Sequence, residues 1–319
     1  MRSRTVAGLM ALGMLAAGCG HGGGGGGTSP SPSASGTTPA ASALTETQAR
    51  AIFAKYQKVN NQANAHLSAA TLSTIETGAM LKGDLADYKV IRAGLDSKIK
   101  PFTYHSARFY LPRDADWFAV DAKPSNGGGE EFLVFARTGG TYKLATSAWK
   151  NKASFPAIAR GADGSATAVT TPATAKLAAA HSEYLSNVAA GLRGSGFAAG
   201  ALTSKLGAQW HGYVNEITQD GAWRGGTTWK AADYPVYALA TADGGAFVWY
   251  TATQSLDYST VNPTAWYRPD KPFFAFGPKK YRHDYHGTWL WRFAAHLPKD
   301  GGATAVLASG RLPVGASGS

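Results

Sequence analysis

The sequence predicts an α+β protein made of two similar halves packed sheet to sheet. Apolar residues first recur at helical spacing and then at strand spacing, and this order of elements occurs twice along the chain. The strand-spaced stretches are apolar on both faces: Phe118 and Val120 point one way while Trp117 and Ala119 point the other, and Trp289 and Trp291 oppose Leu290. A sheet with one wet face alternates more cleanly. Helices are therefore expected on one face of each sheet and the sister sheet on the other.

The chain opens with Arg2 and Arg4, an apolar run from Val6 to Ala17, and Leu15-Ala16-Ala17-Gly18-Cys19. The run is too short to span a bilayer, which takes about 20 residues, and its layout is that of a secretory signal over 1–18. The small residues ahead of Cys19 resemble a bacterial lipobox, although Ala16 stands where leucine is commoner. That resemblance implies cleavage before Cys19, a diacylglyceryl anchor on its sulfur, and residence on the extracytoplasmic face of the cell membrane. Cys19 is the only cysteine, so no internal disulfide forms. Residues 19–43 are rich in Gly, Ser, Pro, Thr and Ala, bury no core, and read as a disordered tether. His21 within it reads as incidental.

The first half is expected over 44–155. Thr45-Glu46-Thr47-Gln48 has capping-box spacing, and Ile52, Phe53, Tyr56, Val59, Ala63 and Leu67 form a helical stripe. Leu72, Ile75, Ala79 and Met80 predict a second helix, broken at Gly83; Asp84 caps a third, carrying Leu85, Tyr88, Ile91 and Leu95. Strands follow at 103–111, 117–123, 130–137 and 142–150, separated by Gly-rich turns. Residues 156–171 read as a linker. The second half, 172–312, starts with Pro172 at a first helical position and a stripe of Leu177, His181, Tyr184, Leu185, Val188 and Leu192. A less regular helix over 202–217 precedes strands at 227–233, 234–241, 246–256, 288–297 and 304–311, and 313–319 reads as a disordered tail. The repeated order predicts an internal duplication.

A long first helix, short helices and a curled antiparallel meander resemble the NTF2-like (cystatin-like) fold, here in tandem. Leu44-Thr45…Gln48-Ala49, Asn60-Asn61-Gln62-Ala63-Asn64, Pro101-Phe102 and Asp243-Gly244-Gly245-Ala246 resemble uncharacterised actinobacterial lipoproteins. The fold resemblance implies a cone lined by the first helix and the concave sheet. It does not imply a function, since such scaffolds host isomerases, dehydratases and pure binding modules.

Tyr56, Asn60 and Asn64 lie four apart on one stripe, and Glu76 points roughly the same way, so these four form the candidate pocket. One carboxylate with amides and a tyrosine suits general acid–base work. The same residues also suit a structural role, with Asn60 and Asn64 tying down irregular backbone and Glu76 capping or pairing. His181, on a buried helix face, reads as a hydrogen-bonded core histidine. His283 and His286 lie three apart with no third ligand nearby, so no metal is expected, and no cofactor motif is present. Ser147-x-x-Lys150 lies on a strand without the partner motifs of serine acyl-transferases.

The formal charge is +11, or +9 without Arg2 and Arg4. That balance favours residence near polyanions; the scatter of the cations and the export signal argue against nucleic acid. The least ordinary stretch is the insert 258–287, where aromatics interleave with Arg268, Lys271, Lys279, Lys280 and Arg282. Long loops with such content are functional more often than disordered. Two readings stay open: a lid packed over its own cone, or a contact surface of Trp266, Tyr267, Arg268, Phe274 and Lys280 for an envelope protein or anionic glycan. The sequence therefore predicts a monomeric, membrane-anchored, non-catalytic binding or assembly module. The alternatives are a small-molecule enzyme of isomerase or dehydratase type using Glu76, and an adaptor for anionic cell-wall polymer.

Overall fold

The computed structural model describes residues 44–127, 129–150 and 155–319. The signal, Cys19 and the tether lie outside the described residues. The first helix, α1 (Glu46–His66), begins at the capping box: Gln48 N donates to Thr45 Oγ1 at 3.2 Å and Thr45 N donates to Gln48 Oε1 at 2.8 Å. It buries Phe53, Tyr56, Asn60, Ala63 and Asn64 along one face.

The second and third helices differ from expectation. Helix α2 is a single turn (Ala69–Leu72), and α3 runs over Gly78–Arg92. Between them the chain leaves helical geometry to pair with a strand: Thr77 N donates to Leu144 O at 2.9 Å and Leu144 N to Ile75 O at 2.8 Å. Gly83, expected as a breaker, lies inside α3. A Cβ there would sit 2.1 Å from Leu312 Cδ1, so the glycine allows close approach by the chain's last strand.

Strands β1 (Tyr104–Tyr110), β2 (Trp117–Pro124), β3 (Glu131–Thr138) and β4 (Thr141–Lys150) form an antiparallel meander. Helices α4 (Pro172–Ala189) and α5 (Ser204–Thr218) precede β5 (Trp223–Ala231), β6 (Tyr237–Ala240), β7 (Ala246–Thr260), β8 (Asp284–Leu297) and β9 (Ala305–Gly318). Strand β9 includes most of the expected tail, with Gly318 paired to Tyr285. The expected linker also carries structure: Val169 N donates to Ala238 O and Ala240 N to Thr167 O, each at 2.9 Å, covering the free edge of β6.

Two separate sheets were expected; the described strands instead form one unclosed antiparallel sheet. Its order is β1-β2-β3-β4-β9-β8-β7-β5, with β6 on β7. The halves join where Trp149 and Lys150 pair with Ser309 and Ala308. Beyond this seam the two half-sheets also touch face to face. Phe132 meets Phe247 at 5.0 Å and Trp249 at 5.6 Å between ring centroids, and Trp117 meets Tyr237 at 5.3 Å. That contact explains why these strands are apolar on both sides. Helices α1 to α3 cover the outer face of the first half-sheet, and α4 and α5 that of the second.

Candidate functional site

All four residues of the candidate pocket are buried, between α1, α3 and the first half-sheet. Tyr56 OH donates to Glu76 Oε1 at 3.4 Å, and Tyr88 OH donates to Asn64 Oδ1 at 2.8 Å. Asn60 Oδ1 has no protein partner. The backbone tie expected of Asn60 or Asn64 belongs to Asn61, which donates to Phe102 O at 2.7 Å and accepts from Phe102 N at 3.0 Å. The stripe therefore meets Glu76 through Tyr56, while Asn64 is held by Tyr88.

Glu76 is not a lone carboxylate. Asp84 of α3 lies close enough to share a hydrogen bond with it, and Arg292 of β8 reaches toward both from the second half. Burial, then the neighbouring Asp84 charge, holds Glu76 well above the usual carboxylate range; Arg292 opposes this. Asp84 keeps partial solvent contact, yet burial pushes it up to about 6. Each carboxylate disfavours ionisation of the other, and Glu76 Oε2 has no hydrogen-bond partner among the described residues. Glu131 is a further buried acid nearby, accepting from Tyr104 OH at 2.6 Å. Arg292 is buried with its Nη1 against Met80 Sδ and its Nε unpartnered, and Gly310 leaves it room, since a Cβ there would lie 3.0 Å from Nη2.

Two neighbouring carboxyls held above the usual range beside a guanidinium are capable of acid–base work, but only if substrate reaches them. Glu76 is 1% exposed and Tyr56 3%. A nearby hollow of about 260 Å³ is walled by Ile52, Lys55, Tyr56, Ile75 and Tyr142, and Glu76 does not line it.

Sequence reasoning missed Glu131 and Arg292 and read Asp84 only as a helix cap, whereas it lies inside α3, whose N-cap residue is Thr77. The available signal was a charge inside an apolar strand, as in Trp289-Leu290-Trp291-Arg292-Phe293. His181 is a hydrogen-bonded core histidine: Nε2 lies 3.0 Å from Leu202 O and Nδ1 2.9 Å from Tyr250 OH. The carbonyl only accepts, so Nε2 carries the proton and Nδ1 accepts from the phenol. His286 directs Nδ1 to Asp257 at 2.8 Å and Nε2 to Asp284 at 3.2 Å, so both of its ring nitrogens face carboxylates. No group of three metal-ligating side chains is found among the described residues.

The insert is shorter than expected, because its ends belong to β7 and β8; the connection proper is 261–283. It divides into two sides. Tyr267, Phe273 and Tyr281 are buried in the second-half core, with Phe273 packed on Trp289 at 5.4 Å and on Tyr285 at 5.7 Å. Tyr267 and Tyr281 pair antiparallel through backbone bonds of 2.8 and 2.9 Å. Trp266, Arg268 and Lys280 are exposed and Phe274 is half-buried. The Lys280 ammonium lies 4.2 Å from the Trp266 ring centroid, and the Arg268 guanidinium 5.4 Å from that of Phe274. Of the five residues named for the contact surface, Tyr267 is thus a core residue and the other four remain available.

No solved structure matches the chain. An uncharacterized lipoprotein of Streptomyces coelicolor is 31% identical, the match covering 68% of each chain. No helix among the described residues is long and apolar enough to cross a membrane. A family model described as Domain of unknown function (DUF8094) matches residues 40–318, and the chain belongs to that family.

Proposed function

We propose that this protein is a lipid-anchored, extracytoplasmic binding or assembly module of the cell envelope, without catalysis of its own. Cys19 carries the anchor, and the outward side of the insert is the working surface. The observation that carries this reading is a contrast in exposure: Glu76 is 1% exposed, whereas Trp266 is 47% exposed with a lysine over its ring. Glu76 is buried behind Tyr56, whereas an exposed indole flanked by cations is a ready contact. Similarity to a lipoprotein supports the anchor. A tandem NTF2-like duplication is part of the same proposal, supported by helices-then-meander order in each half and by the pairing of the last strands, β4 and β9.

The catalytic reading keeps one feature in its favour, the neighbouring carboxyls of Glu76 and Asp84 beside Arg292, both held above the usual carboxylate range. The two readings part in one experiment. Trp266→Ala with Lys280→Glu is expected to lower retention on isolated cell envelopes at unchanged melting temperature, while Glu76→Gln leaves retention intact. Loss of retention only in the Glu76 variant contradicts the proposal. Deleting the insert is uninformative, because Tyr267, Phe273 and Tyr281 belong to the core.

A further inference from the structure

We infer that the outward side of the insert docks on the anionic leaflet of the membrane itself; this rests on the reading of the insert as the working surface and names its partner. The antiparallel pairing of Tyr267 with Tyr281 sets the geometry. Side chains alternate along extended chain, so when Tyr267 and Tyr281 point inward, Trp266, Arg268, Lys280 and Arg282 point outward together. All four are exposed, and the two inward tyrosines are buried. The side is stiffened from behind by Phe273 and by the four prolines Pro263, Pro269, Pro272 and Pro278.

Composition selects a lipid surface over a soluble polymer. Residues 258–287 hold five Lys or Arg (Arg268, Lys271, Lys279, Lys280, Arg282) against two acids (Asp270, Asp284). That excess complements any polyanion. The apolar component is what discriminates: among the described residues the exposed large hydrophobics are Leu192, Val261 at 58% and Trp266 at 47%, and two of these three lie in the insert. A glycan chain in water gives Val261 nothing to leave water for. The boundary between headgroups and acyl chains does, and it suits an indole with an ammonium beside it. The chain outside the described residues fits as well. Leu44, the first described residue, stands 25 positions after Cys19, so the leaflet that would take the acyl chains is within reach of the body.

The test uses the full chain with Cys19→Ala, so that the acyl anchor contributes nothing. Co-sedimentation is measured with vesicles of phosphatidylcholine alone and with equal parts of phosphatidylglycerol, and in parallel with purified cell wall. Binding to the anionic vesicles is expected, with little to the neutral ones. Each cation near an anionic surface is worth about fivefold in partitioning, so Arg268→Glu with Lys280→Glu is expected to weaken binding more than about tenfold. Trp266→Ala is expected to weaken it severalfold at unchanged melting temperature. Retention on cell wall without binding to anionic vesicles overturns the lipid partner while leaving the insert as the working surface, provided the same variants abolish retention. Binding to neither overturns both readings. Vesicle binding that the variants do not alter assigns it to another surface and overturns the inference.

Discussion

Between helices and sheet, the first half buries Glu76 and Glu131 beside Tyr56, with Asp84 at the edge and Arg292 reaching in from β8. The second half instead encloses His181 among Tyr184, Phe197, Tyr250 and Phe293, with ring centroids 4.7 to 6.5 Å from the imidazole. Burial acts on both interiors by disfavouring charge, and the chemistry of the buried groups turns that into opposite responses to pH. Carboxylates kept neutral favour the folded chain in acid; a histidine kept neutral favours it near neutrality. Similar architecture thus does not mean similar interiors.

The largest expected effect comes from His181. Burial pushes its pKa down to about 3, against about 6.5 in the unfolded chain. The unfolded chain therefore takes up a proton first, and stability falls as pH drops from about 6.5 toward 3. At 1.36 kcal/mol per unit this amounts to on the order of 5 kcal/mol. His181→Gln lowers stability overall, but its loss on acidification between these values should be much shallower than the parent's. An equally steep acid limb would show that His181 is not the group responsible.

Asp84 works in the other direction with a smaller effect. Its pKa of about 6 lies above the unfolded value of 3.8, so its contribution is complete below about 3.8 and is lost as pH rises through 6. Asp84→Asn is expected to gain about 1–3 kcal/mol at pH 8 and nothing at pH 3.5, read from denaturant titrations at the two pH values. A loss at pH 8 would mean that the attraction of Arg292 outweighs burial.

Gly83 tests how tightly the halves are coupled. Adding a methyl against Leu312 is expected to cost about 1–3 kcal/mol, although alanine is the better helix former. Because the clash spans α3 of one half and β9 of the other, Leu312→Ala should recover part of the loss in the double variant. Strict additivity of the two substitutions would contradict a direct contact.

These predictions also mark what was legible in the sequence. The stripe of Tyr56, Asn60 and Asn64 was readable because helical neighbours four apart share a face, and the strands showed their two-sided burial directly. Arg292 was not readable as a partner of Glu76, since more than 200 residues separate them and only the sheet's fold brings β8 against α3. Gly83 misled because a helix-terminating glycine and one admitting a neighbouring side chain look alike in a single sequence. The strand ends and the tail were misplaced for a related reason. Tyr258, Tyr285 and Gly318 are paired in long strands whose polar, glycine-containing ends resemble loop. The aromatic–cation content of the insert was visible; its division into an inward and an outward side needed the pairing of Tyr267 with Tyr281.

The central claim is that function lies on the outward side of the insert and not at the buried acids, and retention on native envelopes tests it most directly. The protein carrying Glu76→Gln and the protein carrying Trp266→Ala with Lys280→Glu are compared with the parent, each with Cys19→Ala so that the anchor does not mask the difference. The account predicts parental retention for the Glu76 variant and a loss of more than about tenfold for the insert variant, with both folded. Parental retention by the insert variant, with loss in the Glu76 variant, would contradict it.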